Sequence, residues 1–476
     1  MLFYYEKMKK IYWFVALLVL QCFFPLYAQK NAKQEKILGI TDEERKQSTI
    51  FADGLRAFYS DDYTVAEKDF RSVISHNPQN DAAFFMLSKI RRSNNDYAGA
   101  AYYLGEARKI NKQNEWYIVE MAEVCDALGD FKQSSKLWEE ICKLKSENEF
   151  YLFALAESYL NQEKFTEVIK VYDRMEKLLG MNDDISDAKK NIYLYLNDVK
   201  SAVGEYERLI KMYPYEVKYY IQAANIYLTN NYPDKALAYL EQALAIDRNN
   251  PLTHLSLANY YQIKGKNDDS YRSLVIAFRS PNLVLEEKMP ILRNYFSNAY
   301  KTKDDKEIRR TRNLVDALIE AHPESVEAWV TLASLQMLKG AYQEARVNFE
   351  KVLSLDNTNF NIWENYILVL MQLKDWQTII NNAEEVTELF PTNSVMLYSI
   401  GLAYQNLKHS DKAIHYLNQA SMFAYESNLL ADIYNVMGDA YLDMNNKTEA
   451  IKSWKQAQKK GLNSQALKDK IAKAEN

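Results

Sequence analysis

In the stretch WVTLASLQMLKGAYQEARVNFEKVLSLDNTN, Trp329 to Asn359, apolar residues recur three and four apart, and small residues keep fixed distances from large ones. Ala333 is followed twelve positions later by Ala345, and Phe349 comes four after that. This spacing predicts two amphipathic helices joined by a turn at Gly340, with the small residues where the helices cross. The same frame returns at Gly401, Ala413 and Leu417 and at Gly438, Ala450 and Trp454. It is also present near the start, at Gly54, Ala66 and Phe70. The numbering advances by 34 at each step from Gly54 to Ser88, Ala122 and Ala156, and again from Ala224 to Ala258 and from Ala333 through Ile367 to Gly401. The last step, to Gly438, is 37.

A two-helix hairpin of this size cannot bury its apolar stripe alone, so each one must stack on the next. The register, with its order of small and large residues, resembles the tetratricopeptide repeat over roughly residues 47–462. The resemblance implies an all-α, right-handed superhelical solenoid of about twelve helix-turn-helix repeats. Two units depart from the pattern. Near 183–214 only a second helix and its terminal proline are legible, in AVGEYERLIKMYP. Near 283–323 the frame is reshaped by Pro290, and Lys288 there reads as part of a solvated face. Residues 463–476 read as a polar-faced helix capping the last unit, and residues 29–46 as a flexible leader.

Gly (12) and Pro (9) are scarce for 476 residues, which favours helices joined by short turns over a β-rich fold. The formal net charge of −5, with both signs interspersed, gives no footprint for nucleic acid. The N-terminus has a different character. MKKIYWFVALLVLQCFFPLYAQK, from Met8, has a basic start, a short apolar core, a break at Pro25 and Ala28 before Gln29, the order of a secretory signal over residues 1–28. Gln21 stands before Cys22 where a lipoprotein signal would place a small residue, so the sequence argues against lipidation. The exported chain then keeps Cys125 and Cys142. The register puts them at opposite ends of a hairpin, about 15 Å apart, too far for a disulfide, so two free, buried thiols are expected.

The sequence offers little catalytic chemistry. His409 and His415 are six apart, not the four that place two ligands on one helical face. His76 and His322 fall in turns between units, and no phosphate-cradling glycine motif follows a strand. Neither an enzyme, nor a cofactor, nor a metal is therefore expected. In the tetratricopeptide family the first helix of each unit lines a concave groove, at its second, fifth, ninth and twelfth positions. Carried onto this chain, that implies Phe85 and Lys89, then Trp116, Val119 and Glu123, then Phe150, Phe153 and Glu157. Later units contribute Lys218, Ile221 and Asn225, then Leu255 and Asn259, and Val330, Ser334 and Met337 beyond them. The early cluster reads as an apolar groove with an acidic edge, suited to a peptide with apolar anchors and a basic neighbour. Asn225 and Asn259 sit where some family members clamp a peptide carboxylate, but Ile221 occupies a place where a basic partner would be needed. The expected function is a non-enzymatic scaffold in the periplasm or envelope, binding proteins or peptides and associating with an envelope complex. The alternatives are a chaperone-like holder of exported chains and a reader of envelope glycans.

Overall fold

The computed structural model describes residues 41–145 and 148–475. The expected signal peptide, Cys22 and residues 29–40 of the leader lie outside them. The described residues are helical with no strand among them, and form two compact units that divide after Glu205. The first unit holds the hairpins α1 (Asp42–Tyr59) with α2 (Tyr63–His76), α3 (Asp81–Ser93) with α4 (Tyr97–Ile110), α5 (Glu115–Ala127) with α6 (Phe131–Leu144), and α7 (Glu149–Leu160) with α8 (Phe165–Leu179). α9 (Asp183–Tyr195) follows, and the division falls within α10 (Val199–Met212). The second unit continues with α11 (Val217–Thr229) and α12 (Pro233–Ile246), α13 (Pro251–Ile263) and α14 (Asn267–Phe278), and α15 (Leu285–Thr302) and α16 (Asp305–Ala321). Next come α17 (Val326–Leu338) and α18 (Tyr342–Leu355), then α19 (Phe360–Leu373) against a second helix broken into α20 (Trp376–Asn381) and α21 (Ala383–Leu389). α22 (Ser394–Asn406) with α23 (Ser410–Phe423) and α24 (Ser427–Asp443) with α25 (Lys447–Lys459) complete twelve hairpins among the described residues, and α26 (Gln465–Glu475) covers the last.

Each hairpin turn is built the same way. One residue takes a left-handed conformation, at Asp61, Asn95, Gly129, Glu163, Asn197, Asn231 and Gly265, at a constant step of 34. In the first turn the Asp62 amide donates to the Ala57 carbonyl (2.9 Å) and the Asp61 amide to Phe58 (3.1 Å), which satisfies the last carbonyls of α1. The Asp62 carboxylate then accepts from the Val65 amide (3.1 Å) and starts α2. The left-handed residue next appears at Lys303 and then Gly340, steps of 38 and 37. Here α15 and α16 have 18 and 17 residues, against 13 and 14 in α11 and α12. Insertions of three or four residues add one helical turn, so the buried face is kept.

The small residues of the register are where helices touch: Ala66, Ala100, Ala236, Ala345, Ala413 and Ala450 have no exposed surface. The large residues four later, among them Phe70, Leu104, Trp138, Phe349 and Trp454, fill the space beside them at 1% exposure or less.

Three sequence expectations need correction. The first described helix starts at Asp42, ahead of the expected boundary near 47: Thr41 and Glu44 form a reciprocal cap, the Glu44 amide donating to Thr41 Oγ1 (3.2 Å) and the Thr41 amide to Glu44 Oε2 (2.7 Å). The unit near 183–214 has its first helix, α9. Lys189 fills the slot held one repeat earlier by Leu155, and its ammonium is buried against Asp173 (2.7 Å), Glu205 (3.1 Å) and Glu176 (3.4 Å). The unit near 283–323 is likewise a complete hairpin, and Lys288, read from sequence as solvated, has no exposed surface. Its ammonium donates to the Phe278 (3.0 Å) and Ser280 (2.7 Å) carbonyls at the end of α14, and to His322 Nε2 (2.9 Å).

Candidate partner-binding face

The residues carried forward from the register divide by environment. Trp116, Phe150 and Phe153 are exposed, at 65%, 37% and 45%, on the first helices of the third and fourth hairpins. Trp116 and Phe150 occupy equivalent positions in successive repeats. The Phe150 ring rests edge-on against the buried Trp138 (6.0 Å between centroids), so it is anchored from below. Phe85 is more enclosed: it packs on Tyr117 (4.9 Å), with the Lys89 ammonium over its ring (5.4 Å). Val119 is half-buried against the core of this unit.

The acidic edge is narrower than expected. Glu123 accepts from Arg92 (2.5 Å), while Glu157 is exposed. Between the second and third hairpins Glu120 is the hub: it is 5% exposed and accepts from Lys89 (2.5 Å) and Arg92 (2.6 Å). Burial disfavours the Arg92 charge, but Glu120 and Glu123 outweigh it and hold the guanidinium firmly protonated. The register contained the signal for Glu120, a carboxylate where the units on either side place Met86 and Ala154.

In the second unit Asn225 Oδ1 accepts from Ser256 Oγ (2.8 Å), Asn259 faces solvent, and Ile221 is buried. Asn225 is thus engaged in joining two hairpins, and Lys218 lies over the Tyr219 ring (4.8 Å). A separate cavity of about 470 Å³ opens beside the broken second helix of the tenth hairpin, between α21 and α23, walled by Thr387, Pro391, Tyr416, Met422 and Phe423.

Cys125 and Cys142 are free and buried, and burial pushes both thiols up to about 11. No group of three or more His, Cys, Asp or Glu side chains among the described residues could hold a metal ion.

Profiles of the tetratricopeptide repeat match residues 51–115, 217–250, 326–359, 395–423 and 431–459, in register with the hairpins. The chain is a tetratricopeptide-repeat protein. It is 29% identical over 143 residues to the TPR repeat-containing protein MJ1428 of Methanocaldococcus jannaschii, a match spanning 29% of this chain and 24% of that protein. Among solved structures, that of Naa15/Naa10 bound to HypK-THB matches 90% of this chain and 79% of its own at 15% identity and a TM-score of 0.38. The Cut9–Hcn1 structure matches 93% and 98% at 13% and 0.31, and that of MamA 40% and 98% at 21% and 0.33. The tetratricopeptide-repeat fold generally serves protein–protein interaction. Among the described residues, no helix is long and apolar enough to cross a membrane.

Proposed function

We propose that this chain is a non-enzymatic scaffold of the cell envelope that docks a partner peptide or protein segment on the first helices of its third and fourth hairpins. The observation that supports the site is the set of aromatic rings left in water there: Trp116, Phe150 and Phe153 sit at register positions that the repeat does not need for its own core. Exposed aromatic clusters of this kind mark interaction surfaces, and rings with a rigid base, as Phe150 has on Trp138, lose little entropy on binding. With Glu123 already paired to Arg92, Glu157 is the carboxylate at the edge, so the fitting segment carries apolar anchors and one basic neighbour. The basic, apolar, small-residue order of residues 1–28 supports export.

The test is crosslinked affinity capture of the tagged chain from its native envelope fraction, beside a Trp116→Ala/Phe153→Ala variant. A central aromatic anchor is worth about 2 kcal/mol, roughly 30-fold in affinity. The expected result is a small, reproducible set of proteins with the parent that is lost with the variant. Equal recovery by both would overturn the assignment of this face. Capture of many unrelated unfolded chains would favour a general holder instead.

A further inference from the structure

We propose that the α23–α24 turn and the adjoining end of the last hairpin form a docking edge for an anionic phospholipid surface. This goes beyond the partner-binding face, which lies in the other unit.

The charge of the chain is unevenly placed. Residues 447–475 carry eight lysines against Glu449, Asp469 and Glu475, with no arginine, although the whole chain has a net charge of −5. Three of these lysines are neutralised: Lys452 by Glu449 (3.1 Å), Lys455 by Glu475 (2.8 Å) and Lys470 by Asp439 (2.6 Å). Lys459 and Lys468 are exposed and Lys460 half-buried, and none of the three has a carboxylate within ion-pair distance among the described residues. Lys459 ends α25, Lys460 caps it and Lys468 lies in the first turn of α26, so all three sit where α25 gives way to α26.

That same end carries bare apolar side chains. α24 and α25 form an antiparallel hairpin, so the start of α24 at Ser427 lies at the end where α25 finishes. The chain reaches Ser427 from α23 through Met422, Phe423 and Tyr425, which are 78%, 43% and 87% exposed. The edge therefore combines exposed apolar side chains with unpaired ammonium groups, against Glu426 in the turn and Asp469 beside Lys468. Protruding apolar and aromatic side chains flanked by lysine suit a membrane interface, where rings settle at headgroup level and long cations reach phosphate. Lysine without arginine suits a diffuse field of phosphates better than the bidentate recognition of a shaped partner.

The test uses the full chain with vesicles of phosphatidylcholine alone or with one quarter phosphatidylglycerol. Amide hydrogen exchange is read at residues 421–427 and 458–468, so contacts made elsewhere in the chain do not contribute. The expected result is slower exchange in both segments with phosphatidylglycerol vesicles only. Each lysine near an anionic surface is worth about five-fold in partitioning, so Lys459→Gln/Lys460→Gln/Lys468→Gln should raise the half-maximal lipid concentration roughly 100-fold. Met422→Ser/Phe423→Ser/Tyr425→Ser should also abolish the protection, while both variants keep the parent's circular dichroism and melting profile. Unchanged exchange with both vesicle types, or equal protection with phosphatidylcholine alone, overturns the proposal. Protection by poly-glutamate but not by vesicles also overturns it and assigns the edge to an acidic protein partner.

Discussion

Lys288 offers the sharpest energetic test of the fold, because its ammonium is fully buried and its acceptors are two carbonyls and an imidazole, not a carboxylate. His322 Nε2 lies 2.9 Å from this ammonium and 3.1 Å from the Leu283 carbonyl, so no carboxylate compensates the buried charge directly. Burial pulls the lysine from its ordinary 10.5 down to about 8. At about 1.4 kcal/mol per tenfold change in proton affinity, holding the charge at pH 7 costs the folded state about 3 kcal/mol. Between pH 8 and 10.5 the unfolded chain binds a proton here that the folded chain does not, so this group makes stability rise with pH through that window. Lys288→Met removes the charging cost but leaves the Phe278 and Ser280 carbonyls without a donor, a loss of about 1–3 kcal/mol. The variant should therefore equal or slightly exceed the parent in stability at pH 7, and the difference should move by about 3 kcal/mol in the parent's favour by pH 10.5. Urea unfolding of both proteins at intervals from pH 7 to 10.5 reads the difference, in which tyrosine ionisations common to both cancel. A difference that stays flat across the window would refute the reasoning.

Other consequences can be checked alongside. Gly438→Ala would drive a Cβ into the Trp454 ring and should cost about 1–3 kcal/mol by overpacking, seen as a lower urea midpoint. Trp138→Phe removes the indole N–H that donates to Asp126 (2.9 Å), a carboxylate already held above its usual range by burial. It should destabilise the first unit by about 1–3 kcal/mol, read from the same unfolding curves. With their thiols pushed up to about 11, Cys125 and Cys142 should resist iodoacetamide at pH 8 in the folded protein and react in urea, as mass spectrometry of the labelled peptides would show.

Most of the hairpins were legible because each places a small residue, a second small residue and a large one at fixed intervals, and packing admits little else there. What escaped was of two kinds. A lysine in a leucine slot reads as solvent, so α9 was invisible from Lys189 and the burial of Lys288 could not be foreseen. Only the opposing groups, Asp173, Glu176 and Glu205 in one case and backbone carbonyls in the other, make such a choice tolerable, and these lie elsewhere in the chain. The start of α1 was different: Thr41 and Glu44 are a readable cap, which the reading of residues 29–46 as a leader passed over. At the candidate face, the register located Trp116, Phe150 and Phe153 but could not tell that Arg92 reaches across a unit to neutralise Glu123. Side-chain pairing between hairpins depends on rotamers that no periodicity encodes.

The central claim is that the exposed rings of the third and fourth hairpins meet a partner. The most direct measurement places a photo-crosslinking amino acid at position 116 or 153, with position 102 as a control, since Tyr102 is equally bare (63% exposed) but lies on a second helix of the same unit. Illumination in the native envelope fraction should give discrete adducts from 116 and 153 and none from 102. Adducts from 102 alone, or the same adducts from all three positions, would contradict the claim.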